Sequence, residues 1–226
     1  RFFSPYCYIN LVRLFRLTEL YQPTYNPHRL PFLKPKKLWR SCEDRFAVIE
    51  QTINLPYIGS YLDIGSQLGY FVFKFAEMSP NSFALGIEQD PVACNYALAL
   101  TILNDTKGVA FLKAKLDKDL ADRLPVFDMI SCLNVFHHVV HFNGFQEADS
   151  IMRTLHQRCG KYFIFESGQF DEKGFYWNAD LSFMGNEPES WIKNYLVEIG
   201  YAEVKLVARF KSHLSDKTRA FFVCRK

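Results

Sequence analysis

The sequence predicts an α/β fold, a Rossmann-like sheet of seven strands, mostly parallel, with helices on both faces. Three observations predict it. From residue 41 onward, short apolar runs alternate with stretches of helical spacing, a pattern that demands parallel strands joined by right-handed crossovers. The last two runs have no helix between them, so the sheet closes on a reversed hairpin. The first run, SYLDIG, feeds a short glycine-flanked turn, GSQLG at residues 65 to 69. Sheets of this kind hold ligands there, outside the carboxyl ends of their strands.

The elements follow in order. Ser41 caps a helix through about residue 53, with Asp44 at the capping-box position. A strand at 60–64 is followed by a helix over 68–79, and SFALGI (82–87) is the second strand. Pro91 opens a helix to about residue 104, since proline suits a first helical turn. A strand at 109–114, a short helix at 117–123 and the strand FDMISCL (127–133) come next. After a helix at 144–158, KYFIFE (161–166) is the fifth strand. A helix from Pro188 to Ile199 precedes the closing strands at 203–210 and 219–224.

Residues 41–226 read as one domain and residues 1–40 as a helical and basic extension. The chain has 226 residues, 49% of them apolar, enough to fill one core. Its first residue is Arg1 rather than Met, the start expected of a piece of something longer. In YINLVRLFRLTEL (8–20) Arg13 and Arg16 sit among apolar residues at helical spacing, which suits a helix packed on its own domain or one in peripheral contact with a membrane. Lys34, Lys36, Lys37 and Arg40 read as a solvated linker, and a net charge of +3 is too mild to imply nucleic acid. No apolar stretch reaches the roughly 20 residues of a membrane span. Six scattered cysteines, with no CxxC pair and no secretory signal, indicate reduced thiols and a cytoplasmic protein. Nothing in the sequence assigns an oligomeric state.

The chemistry begins at GSQLG. Glycine is needed where the backbone bends sharply and approaches a ligand with no Cβ in the way. Two carboxylates sharpen that reading. Asp63 ends the first strand and Glu88, in GIEQD, ends the second, where a carboxylate can accept both hydroxyls of a ribose. An adenosine-type ligand is implied, used either for hydride transfer from a dinucleotide or for methyl transfer from S-adenosylmethionine. The spacing decides between them. Gln67 stands where the middle glycine of GxGxxG would be, and an acid before the turn repels a pyrophosphate but suits a cationic sulfonium. An NAD-dependent oxidoreductase is therefore the weaker reading, and a module that binds the nucleoside without turnover is the other alternative.

DIGSQLGYF (63–71) resembles motif I of the class I S-adenosylmethionine-dependent methyltransferases, and GIEQD resembles their ribose-binding acid. The alternating elements resemble their strand order 3-2-1-4-5-7-6, with strand 7 antiparallel. The resemblance implies S-adenosylmethionine as cofactor and a set of residues around it. Gly65 and Gly69 approach its methionine part beside Asp63, Ser66, Gln67 and Tyr70. Glu88 holds the ribose, with Gln89 as a lid over the adenine. Asp117 faces the adenine amino group, and Asn134 completes the set.

CLNVFHHVVHF, after the fourth strand, places His137, His138 and His141 within five residues. A metal site is not expected, because carboxylates are few nearby and the segment is not predicted as a helix. The histidines either pack a loop or catalyse, a neutral imidazole being a suitable base for a hydroxyl near pH 7. His137 is the first candidate and His138 the second.

VFHHVVHFNGF, the FYW at 175–177 and SHLSDKTR (212–219) together resemble the methyltransferase domain of the bifunctional kinase-methyltransferases that terminate bacterial O-antigen chains. The likeness runs over residues 60 to 224. It implies an acceptor phosphate on a glycan terminus, steered by cations among His137, His138, His213 and Arg219; a sugar hydroxyl would instead need a base. In the segment 174–191, Tyr176 and Trp177, with Phe183 and Trp191, either stack on sugar faces or cover the sheet edge. The expectation is an O-methyltransferase acting on a glycan, a glycan phosphate or a related polar metabolite in bacterial surface polysaccharide synthesis.

Overall fold

The structure, a computed structural model, describes residues 19–28, 37–212 and 215–226. Seven strands form the main sheet: β1 (Ser60–Ile64), β2 (Phe83–Glu88), β3 (Val109–Lys113), β4 (Phe127–Leu133), β5 (Cys159–Glu166), β6 (Glu203–Lys211) and β7 (Thr218–Arg225). Their order is β3-β2-β1-β4-β5-β7-β6, as the family resemblance implies. β7 runs antiparallel to both β5 and β6. The helices are α1 (Glu43–Thr52), α2 (Tyr70–Met78), α3 (Pro91–Leu103), α4 (Lys118–Arg123), α5 (Phe136–Asn143), α6 (Phe145–Arg158) and α7 (Pro188–Ile199).

The chain divides into two compact units, residues 1–115 and 116–226. In the first, β2 pairs in parallel with β1 and with β3. Residues 19–28, expected to belong to an extension, join this unit's core. Leu20 and Tyr25 cluster with Leu68, Phe73 and Leu100, and the Tyr25 ring stacks on Phe73 at 5.1 Å. Burying one leucine and one tyrosine here removes apolar surface from water and favours the packed segment. Glu19–Leu20 pairs with Lys37–Leu38 as a two-residue parallel bridge. Residues 8–18, which carry most of the membrane-contact expectation, and Lys34 and Lys36 lie outside the described residues. Among the described residues no helix is long and apolar enough to cross a membrane.

Two local expectations are corrected. Ser41 is not the cap of α1: the N-cap is Cys42, whose side chain makes no capping hydrogen bond, while the Ser41 carbonyl accepts from Arg45 Nη1 at 2.8 Å. The Asp44 carboxylate turns to the Arg45 amide instead of reaching back. The histidine segment is not a loop but helix α5, which buries Phe136, His137 and Val140 and ends at Gly144 (φ 84°). Two adjacent valines and three histidines, all weak helix formers, hide it from a propensity reading. Five cysteines, Cys42, Cys94, Cys132, Cys159 and Cys224, are buried free thiols. Burial pushes the Cys159 thiol up to about 12 and raises those of Cys94 and Cys224.

Candidate active site

In the first unit the turn after β1 folds over the end of β2. The amides of Gly65 and Ser66 both donate to the Ile87 carbonyl, at 2.8 and 3.0 Å, and Gly69 donates to the Ser66 carbonyl. Gly65, Gln67 and Gly69 all take left-handed backbone, with φ of 71°, 51° and 79°. Gln67 thus adopts the conformation that a middle glycine would ease, stabilised by its Oε1 accepting from the Leu68 amide. Gly69 is favoured for a second reason, since a Cβ there would lie 2.4 Å from the Phe111 ring.

Glu88 is the centre of this turn and is buried. Its Oε2 accepts from the Gln67 amide at 2.9 Å and its Oε1 from the Asp90 amide at 2.7 Å. A carboxylate has about four lone-pair sites, so each oxygen keeps one for a ligand hydroxyl. That pair suits a ribose cis-diol. Every amide from Gly65 to Gly69 already has a protein acceptor, so the turn offers no cradle of donors to a pyrophosphate. Asp63, Ser66 and Tyr70 are buried beside the turn, and Gln89 is exposed.

The second unit holds the other expected residues. Asp117 is exposed and caps α4, its Oδ1 accepting from the Leu120 amide at 2.8 Å. Asn134, just past β4, has φ 62° and accepts at Oδ1 from Arg219 Nη1 at 2.8 Å. Arg219 is not the exposed anion clamp expected of it. It is 2% exposed and grips Glu172 through Nε at 2.7 Å and Nη2 at 2.9 Å, with its guanidinium 5.7 Å from the Trp177 ring. A charge already matched by a buried carboxylate has little left for steering a phosphate. Trp177 is also buried, packed 4.7 Å from the His137 ring and 5.3 Å from Phe175, so it is core rather than a sugar platform. His213 lies outside the described residues.

The three histidines of α5 have separate partners. His137 Nδ1 accepts from the Gly168 amide at 3.0 Å and lies 3.3 Å from Ser167 Oγ. A neutral ring accepting at Nδ1 carries its proton at Nε2, so His137 is placed as a donor and not as a base. His138 Nδ1 is 2.9 Å from the hydroxyl of the exposed Tyr176. Burial first, then the positive charges of Arg219 and His141, lower the His138 pKa to about 4. His141 Nδ1 pairs with Asp180 Oδ2 at 2.6 Å. His137 and His141 are spaced as helical metal ligands, but their rings turn to different partners. No group of three or more metal-binding side chains occurs among the described residues. Glu172 and Asp180, which organise this unit, were missed by the sequence reading, because neither stands in a motif.

Residues 62–161 match the model of a methyltransferase domain family. In fold, in the turn and in that match the chain resembles the class I, S-adenosylmethionine-dependent methyltransferases. Among its relatives is the O-antigen chain terminator bifunctional methyltransferase/kinase WbdD of Escherichia coli, 26% identical over 81% of this chain. The chain spans about a quarter of that relative's length. A crystal structure of WbdD superposes with a TM-score of 0.77 at 23% identity, covering 96% of this chain and 46% of that one. Magnesium protoporphyrin IX methyltransferase from Synechocystis PCC 6803, solved with bound S-adenosylmethionine, shares the fold at a TM-score of 0.57 and 14% identity, over 81% of this chain and 76% of that one.

Proposed function

We propose that the chain methylates a hydroxyl oxygen of a glycan-type acceptor, with His138 as the base. The observation that carries this reading is the His138 imidazole, half-buried, kept neutral and fixed by the Tyr176 hydroxyl. S-adenosylmethionine, when bound, supplies the methyl group, and Glu88 with the Gly65–Gly69 turn holds its ribose and methionine parts. With Nδ1–H donating to the Tyr176 oxygen, His138 presents an unprotonated Nε2 and takes the acceptor's proton there as the oxygen is alkylated. His141, oriented by Asp180, and Tyr176 give the acceptor polar partners. The likeness to WbdD supports a glycan as acceptor. The phosphate acceptor that the family resemblance implies is less well served, because Glu172 already matches Arg219.

The test is transfer of a labelled methyl group to neutral and phosphorylated oligosaccharides by the protein and its His138→Gln variant. Transfer to neutral glycans, lowered about 10²–10⁴-fold in the variant, is expected. Transfer confined to phosphorylated glycans and indifferent to His138 would overturn the reading.

A further inference from the structure

A second feature of residues 116–226 lies outside this arrangement. The segment after β5 forms a short 3-10 turn, Ala179–Met184, packed against α5 and α7. Around it Phe145, Phe183, Trp191 and Tyr195 line a cavity of about 400 Å³. The rings stand in sequence: Phe145 to Phe183 at 4.5 Å, Phe183 to Trp191 at 4.8 Å, and Trp191 stacked on Tyr195 at 4.8 Å. Planar polar groups close the other wall. Arg153 donates from Nε to Asp149 at 2.9 Å and from Nη2 to Glu198 at 2.8 Å, and the Tyr195 hydroxyl donates to Asp149 at 3.1 Å.

The chemistry of this wall selects its ligand. A cation would find the aromatic faces attractive but would meet the Arg153 guanidinium, which Asp149 and Glu198 hold in its charged form. An anion would meet those two carboxylates. A neutral molecule with one apolar face and a rim of hydroxyls satisfies both walls: its C–H face lies on the rings while its hydroxyls donate to carboxylates and accept from the guanidinium. That describes a saccharide ring. The cleft is also tied to the histidines. Asp180, which holds His141, and Phe183, which lines the cleft, are three residues apart on the same 3-10 turn, and side chains at that spacing eclipse. The Tyr176 ring then lies 4.8 Å from His141 and its hydroxyl on His138.

We propose that this aromatic cleft is a saccharide subsite, holding a sugar unit that precedes the methylated one in a glycan chain. The proposal rests on the glycan-acceptor reading for the order of the two sites, though not for the binding itself. The chain has three tryptophans, so the indole N–H resonances of ¹⁵N-labelled protein report each separately. Titration with neutral linear trisaccharides (maltotriose, cellotriose, mannotriose) is expected to move the Trp191 signal saturably and leave buried Trp177 unmoved. Arg153→Met, at a half-exposed position, should weaken that titration about tenfold while preserving the fold by circular dichroism. A Trp191 signal indifferent to all three sugars overturns the subsite, even where glycans are methylated. A saturable shift without methylation of any glycan keeps the subsite and removes the acceptor reading.

Discussion

Arg219→Ala tests whether the guanidinium is a scaffold or a steering charge. In the folded chain the Arg219 and Glu172 side chains are 3% and 0% exposed, and the cation makes two bonds to Glu172 and one to Asn134. Removing it leaves a carboxylate buried with no counter-charge, a change that costs about 3–5 kcal/mol. The contact with Trp177 adds about 0.5–1 kcal/mol. Against a total stability of about 5–15 kcal/mol, the variant sits near the edge of folding. The double variant Arg219→Met with Glu172→Gln should recover most of the loss, because no charge is then desolvated and the glutamine oxygen still accepts from the Gln169 amide, which Glu172 now holds at 2.9 Å. Urea unfolding of the parent, Arg219→Ala and the double variant measures both effects. An Arg219→Ala variant within about 1 kcal/mol of the parent would refute the argument and return Arg219 to the acceptor.

Three further outcomes follow from the geometry. Glu88→Ala should weaken binding of S-adenosylhomocysteine by about 1.5–3 kcal/mol in calorimetry, the scale of hydrogen bonds to a charged group; unchanged affinity would dismiss the ribose assignment. Gly69→Ala should destabilise by about 1–3 kcal/mol in thermal unfolding, since it forces a side chain into left-handed backbone and against Phe111; a neutral result would show that the ring yields. His138 binds its proton at about pH 4 when folded against 6.5 ordinarily, so the unfolded chain alone takes up that proton between those values. Stability contributed by neutral His138 is therefore present above about pH 6.5 and declines as pH falls toward 4, and the acid limb of kcat/KM should sit near 4. An acid limb near 6.5, or an identical stability profile in His138→Gln, would contradict this.

What was legible in the sequence was local. GSQLG, Asp63 and Glu88 could be read because the ends of adjacent parallel strands fall together once the order is set, and the turn residues carry their own backbone demands. The parallel sheet followed from helices placed between apolar runs, and its strand order from the resemblance to the methyltransferases. Long-range pairing was not legible. The partner of Arg219 is Glu172, distant in sequence and in no motif, so an arginine that reads as a free cation is in fact neutralised. His137 looked like the better base until the Gly168 amide was seen to occupy its Nδ1, a bond set by how α5 packs and not by composition. Trp177 and Tyr176 are neighbours in sequence with opposite fates, one buried at 1% and the other 61% exposed, because only one faces the core.

The buried thiols turn the protein into its own probe of breathing motions. Alkylating reagents attack thiolate, and a sulfur that is both enclosed and held protonated must wait for its surroundings to open. Cys42 and Cys94 lie in the first unit, and Cys132, Cys159 and Cys224 in the second. With Cys7 replaced by serine, the mass gained at each cysteine under slow alkylation gives a local opening free energy, site by site. Adding S-adenosylhomocysteine to the same reaction would then show which of the two halves the cofactor tightens, with no label engineered into either.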